Sequence, residues 1–164
     1  ITTVKGNGVQ PAMPGGGRDG ILKGLYRYRG EAEAQVQLVG SGAILGEALK
    51  AQAWLAEHHG IAAAVWSATS YKELYRDARS AERWNRNHPG GEQRVPHVLA
   101  CLGGTAGPVV AASDYVCALP SCLGPWIGKR LVTLGTDGFG RSDGRPALRR
   151  LFGVAAGTIS HPPL

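Results

Sequence analysis

A chain of 164 residues, 43% hydrophobic and 18% charged, has the makings of one globular domain and excludes a disordered tail. A net charge of +6 would serve nucleic acid or acidic partners only if it were focused on one face. No apolar run approaches the roughly 20 residues of a membrane span and no signal-peptide pattern opens the chain, so a soluble, cytoplasmic protein is expected.

The chain starts at Ile1 inside Ile1-Thr2-Thr3-Val4, which reads as a strand and points to a fragment or a processed product. Residues 5–20 gather Gly6, Gly8, Pro11, Pro14, Gly15, Gly16 and Gly17, the composition of a lead-in loop from a preceding domain. A helical turn is expected over Arg18 to Tyr26. Regular alternation then begins. Gln35-Val36-Gln37-Leu38-Val39-Gly40 alternates polar and apolar and reads as a strand.

From Ala43 to His59 the period turns helical, with Ile44, Leu45, Ala48, Leu49, Leu55 and Ala56 on one side and Gly60 placed as a C-cap. Trp54 falls off that stripe and is expected to pack on a neighbouring element. Ala62 to Ser67 is a continuous apolar run, the mark of a strand buried on both faces. Ser70 and Glu73 have capping-box spacing ahead of a helix to about Arg86, which His88-Pro89-Gly90-Gly91 breaks. On that helix Arg76, Arg79, Arg83 and Arg86 share a face, but Glu73, Asp77 and Glu82 are interleaved and dilute the field. A solvated or inter-domain face is expected there, and no nucleic-acid partner.

Val98 to Leu102 is left without a type. Pro108 to Ala112 is a further buried strand, followed by a helical segment around Tyr115 to Leu123. Leu131 to Leu134 is the last strand, and Ser142 or Asp143 is placed to cap a helix from there to Phe152 with Pro146 in its first turn. Gly157 to Leu164 has neither strand nor helix character. Strands alternating with helices imply an α/β fold, mostly parallel, with room for one antiparallel edge.

Few residues carry chemistry. Cys101, Cys117 and Cys122 are odd in number and lack CxxC spacing, which argues for inert thiols in a reducing compartment rather than disulfides or zinc. Gly40-Ser41-Gly42-Ala43-Ile44-Leu45-Gly46 follows a strand and opens a helix, as phosphate-binding loops do. Its spacing is one residue longer than the dinucleotide fingerprint and the acid after the next strand is absent, so a tight turn is favoured. His58, His59, His88, His97 and His161 show no metal-ligand spacing. Gly135, Asp137, Gly138, Phe139, Gly140, Arg141 and Asp143 form a loop at the end of a strand. Turn architecture is favoured for it, with subunit contact or ligand binding as the remaining uses.

Taken together, several segments resemble the C-terminal domain of single-chain pyruvate dehydrogenase E1, a transketolase-like, thiamine-diphosphate-dependent family. They include Gln10 to Pro14, Gly20 to Tyr26, Val36 to Gly42, Val65 to Leu74, Glu82 to Pro89, Arg94 to Pro96, Ala112 to Tyr115 and, most diagnostic, Leu134 to Asp143. The order is colinear over roughly residues 1–154. The resemblance implies a three-layer α/β/α domain with a mixed five-stranded sheet. It divides the chain into a lead-in at 1–34, the α/β domain at 35–154 and an irregular tail at 155–164.

In that family two preceding domains hold thiamine diphosphate and Mg²⁺ across a dimer interface. Their Gly-Asp-Gly metal motif, activating glutamate and substrate histidines have no counterparts here. The resemblance therefore implies no catalytic, cofactor-binding or metal residue in this chain and no activity by itself. Partners would be the remaining E1 domains or separately encoded E1-like chains, a second protomer and the E2 acyltransferase. Met13-Pro14-Gly15-Gly16 departs from the family's Met-Pro-Glu-Gly, and the family continues after Val154 into a long helix, so uncovered apolar surface is expected. Two other readings stand beside a structural domain of E1: a stand-alone subunit of a split transketolase-like enzyme, and a small-ligand or regulatory module.

Overall fold

The computed structural model describes residues 12, 14–31, 33–127 and 131–161. The strand expected at Ile1 to Val4, residues 5–11 and 13 of the lead-in run, and Pro162 to Leu164 lie outside them.

Five apolar segments become strands: β1 (Leu25–Arg29), β2 (Val36–Gly40), β3 (Ala63–Ala68), β4 (Val109–Ala112) and β5 (Leu131–Leu134). They form one sheet in the order β1-β3-β2-β4-β5. Pairings from β3 through β5 are parallel, while β1 runs antiparallel to β3 at the edge. The mixed five-stranded α/β sheet is the expected one. Tyr26, assigned to a helical turn from sequence, lies in β1 instead, because α1 (Arg18–Lys23) ends at Gly24 in the left-handed region.

Both faces are covered. One carries α2 (Leu45–His59), entered through a 3₁₀ turn at Gly42–Ile44, and α8 (Ala156–Ser160). The other carries α3 (Tyr71–Asn87), α4 (His97–Leu102), α5 (Ala118–Ser121) and α6 (Gly124–Ile127). α7 (Arg145–Leu151) follows β5. Side chains alternate between the two cores: Leu38, Val65 and Val110 pack with Ile44, Ala48 and Leu55, whereas Val39, Trp66 and Ala111 pack with Leu74, Val98 and Leu102.

Each helix has a local cause and several correct the sequence reading. Gly60 caps α2 with φ 62°, as expected. Ala56 of the expected stripe is exposed, and Ala51 and Glu47 are buried in addition. Ser70 Oγ accepts from the Glu73 amide at 3.2 Å, but the Glu73 carboxylate turns to Arg76 at 2.9 Å, so only half of the capping box forms. Val98 to Leu102 is helical within α4, whose first amide donates to Asp77 Oδ2 at 2.7 Å. The N-cap of α7 is Gly144, not Ser142 or Asp143, with no side-chain cap. The tail is not irregular throughout: α8 forms within it and buries Ile159.

Candidate functional site

In an open parallel sheet, ligands collect outside the carboxyl ends of the strands where strand order reverses. Here that place lies between β2 and β4: β3 flanks β2 on one side and β4 on the other. Ser41 leaves β2 and Ser113 leaves β4, and their hydroxyls meet at 2.9 Å. Ser113 Oγ also accepts from the Tyr115 amide at 3.1 Å.

The loop after β5 closes the same end. Thr136 donates its amide to Tyr115 O at 2.8 Å, and Asp137 Oδ1 accepts from the Cys117 amide at 2.9 Å, so the loop is stitched to the segment after β4. Asp143 Oδ1 accepts from the Gly144 amide at 2.6 Å. Phe139 between Gly138 and Gly140 is 94% exposed. No ion pair of Arg141 is seen among the described residues.

These loops and α7 enclose a cavity of about 260 Å³. Ile44, Leu148, Phe152 and Val154 give it an apolar wall, and Arg141, Arg145 and Arg149 also border it. Asp114 and Thr136 also line it. Sequence reasoning singled out Gly140 and Arg141 but missed the cavity. A signal was present: the three arginines recur every fourth residue, although only the fold brings Ile44 and Asp114 to them.

Behind the cavity, Glu47 ties α2 to both later helices. Its carboxylate accepts from Arg149 Nη1 at 2.7 Å, Lys50 Nζ at 2.8 Å and the Ala156 amide at 3.1 Å. Burial alone pushes this carboxyl up, but the bonds from Lys50 and Ala156 and the charges of Lys50 and Arg149 outweigh it and hold it below its usual value. A depressed folded-state value means stability that is present above the unfolded-state pKa and lost as pH falls through the folded one. Glu47→Gln is accordingly expected to cost about 1–3 kcal/mol near neutral pH. The gap to the parent protein, followed by urea denaturation, should close on acidification; a gap independent of pH would contradict the clamp.

The remaining candidates are structural. A Cβ on Gly40 would sit 2.7 Å from Leu45 Cα, and the amides of Ser41 and Ile44 donate to Ala112 O and Ser41 O. Gly40 to Gly46 is therefore a tight turn, with the amides of Ser41 and Ile44 taken by backbone carbonyls. Trp54 packs among His58, His59 and His161 with ring centroids 4.6–4.8 Å apart, which places it against the end of α8. Burial pushes all three cysteine thiols up, the opposite of an activated nucleophile. Burial likewise pushes the Tyr71 hydroxyl up, an effect that Ser41 beside it offsets only in part.

Mg²⁺ demands a near-octahedral set of oxygen ligands. Among the described residues no three His, Cys, Asp or Glu side chains are grouped to hold a metal. Nor is any described helix long and apolar enough to cross a membrane.

Comparison with known proteins agrees with this architecture. The chain is 48% identical to the pyruvate dehydrogenase E1 component of Pseudomonas aeruginosa over 94% of its own length and 18% of that relative. The E1 component of Mycolicibacterium smegmatis is 44% identical over 92% of the chain and 17% of the relative. That of Escherichia coli K12 is 40% identical over 97% and 18%. The chain thus spans less than a fifth of these curated relatives. Among solved structures, transketolase from Campylobacter jejuni superposes with a TM-score of 0.56 at 20% identity, covering 84% of this chain and 18% of that one. A Pichia stipitis transketolase reaches 0.59 at 19% identity, covering 92% and 19%. These distant structures speak to the fold alone. The family profile of the transketolase-like TK C-terminal domain matches residues 24–155, and the chain belongs to that family.

Proposed function

We propose that the chain serves as the C-terminal, non-catalytic domain of a pyruvate dehydrogenase E1 component, supporting the dimer and framing the domains that hold the cofactor. One observation carries this reading. Identity of 40–48% runs along 92–97% of this chain yet touches only 17–18% of those relatives. In this reading the whole enzyme, in the cytoplasm, decarboxylates pyruvate and reductively acetylates the lipoyl group of E2. Thiamine diphosphate supplies the carbanion chemistry when bound to the other domains. The partners are the remaining E1 domains, the second protomer and the E2 acyltransferase.

Gly135, Asp137, Gly138, Phe139, Gly140, Arg141 and Asp143 are proposed as the contact loop. Asp137 and Asp143 set its shape, and Phe139 is a rigid aromatic free to anchor in a partner's pocket.

The test is co-expression with the cofactor-binding domains of a pyruvate dehydrogenase E1 from which the C-terminal domain has been removed. The chain should co-purify with them and restore pyruvate decarboxylation. Alone, it should neither turn over pyruvate nor bind thiamine diphosphate with Mg²⁺ at micromolar affinity, and either result would overturn the reading. Phe139→Ser should leave thermal stability unchanged and weaken association about ten- to a hundredfold, the weight of one buried phenylalanine.

A further inference from the structure

We infer that Phe139 of one copy of the chain inserts into the cavity at the carboxyl ends of β2, β4 and β5 of a second copy, each copy giving and receiving one ring about a two-fold axis. The inference rests on the dimer-supporting reading above and names the pocket in which the contact loop anchors. A protruding ring and an open apolar hole, side by side on one patch, carry it.

The ring is held out by its loop. Phe139 is almost fully exposed, between Gly138, whose φ of 81° is left-handed, and Gly140. The base of the loop is pinned by the Thr136 amide on Tyr115 O and by Asp137 on the Cys117 amide. Tyr115 and Val116, on the segment to which the loop is tied, are exposed as well and widen the apolar patch.

The hole adjoins the ring. Gly140, the next residue, borders the cavity, and Ile44, Leu148, Phe152 and Val154 line it. At about 260 Å³ it exceeds the roughly 150 Å³ of an apolar cavity that takes up benzene, so a phenyl ring has room.

Symmetry follows from that adjacency. A patch bearing both a knob and its hole is self-complementary, and a two-fold axis seats both rings at once and closes the assembly at two. Charge at the rim agrees. Asp114 and Arg141 both border the cavity, and neither has an ion pair among the described residues, so each is open to its opposite on the second copy. The larger groove beside α3 offers a poorer seat, being lined mainly by polar and charged side chains, Asp77, Ser80, Glu92, Gln93 and Arg94.

Sedimentation equilibrium of the full chain, from micromolar to millimolar concentration, tests this. A reversible monomer–dimer equilibrium with no larger species is expected. Phe139→Ser, at an exposed position that leaves folding intact, withdraws two rings per dimer and should weaken association at least about a hundredfold. Ala43→Trp, on the cavity wall, fills the hole but keeps the ring and should act likewise. Mixed together, the two variants should form heterodimers, since the Ala43→Trp chain still offers Phe139 to the open hole of the other. If the Ala43→Trp chain does not melt as the parent does, Phe139→Ser decides alone. A parent chain that stays monomeric, a Phe139→Ser chain that dimerises as the parent does, or a mixture of folded variants no more associated than its components overturns the inference. A chain that stays monomeric yet restores decarboxylation to the truncated E1 sinks this inference alone, whereas a dimer that restores nothing sinks only the reading as an E1 domain.

Discussion

Gly107→Ala is expected to destabilise the domain by about 3 kcal/mol or more, the largest effect of any single added methyl group. Gly107 sits at φ 71°, where a side chain is strained in any surroundings. A Cβ would in addition lie 1.7 Å from the Gln35 carbonyl oxygen. That oxygen is backbone at the entry to β2 and has no room to retreat, because Gln37 N donates to Pro108 O one step further on at 3.0 Å. Either the turn into β4 or the start of β2 must shift, and both strands lie at the centre of the sheet. Urea denaturation gives the number. Gly90→Ala, with open space around the position, is the control and should change stability by less than about 0.5 kcal/mol. Equal midpoints for the two variants would show that this close approach is wrong.

Gln37→Leu is the second large effect, and it runs against hydrophobicity. Gln37 is 0% exposed. Its Oε1 accepts from Trp66 Nε1 at 2.8 Å and its Nε2 donates to Ala34 O at 2.8 Å, so the amide is satisfied at both ends. Leucine would fill the space but leave an indole N–H and a carbonyl buried without partners, each costing about 1–3 kcal/mol. A net loss of about 2–4 kcal/mol is expected by denaturant titration. Trp66→Phe in the same background should recover part of it, since it removes the orphaned donor. If Gln37→Leu stabilises the domain, the bonded pair contributes nothing and packing alone holds this side of the core.

Strand existence was legible in Ala63 to Ala68 and Val109 to Ala112, because a strand covered on both faces is apolar at nearly every position. Helix α3 was legible because its start is a local device, Ser70 bonding an amide three residues on. The loop from Gly135 to Asp143 could likewise be singled out, since glycines and aspartates at the end of a strand carry turn chemistry in themselves.

Other features depend on contacts between residues far apart in the chain. Gln37 read as the polar side of an alternating strand, yet α4 and its neighbours cover that face, and Trp66 supplies the donor that makes its burial tolerable. Tyr26 read as helical, but pairing with β3 drew the segment into the sheet. The tail read as irregular, and α8 forms because Ile159 finds the α2 core and Glu47 receives the Ala156 amide. Composition and short-range spacing determined which segments are strands and helices, since those depend on dihedral preference and on neighbours within four residues. Which face each covers, and that three arginines border one cavity with Ile44, was decided only by tertiary structure, because burial is a property of pairs distant in sequence.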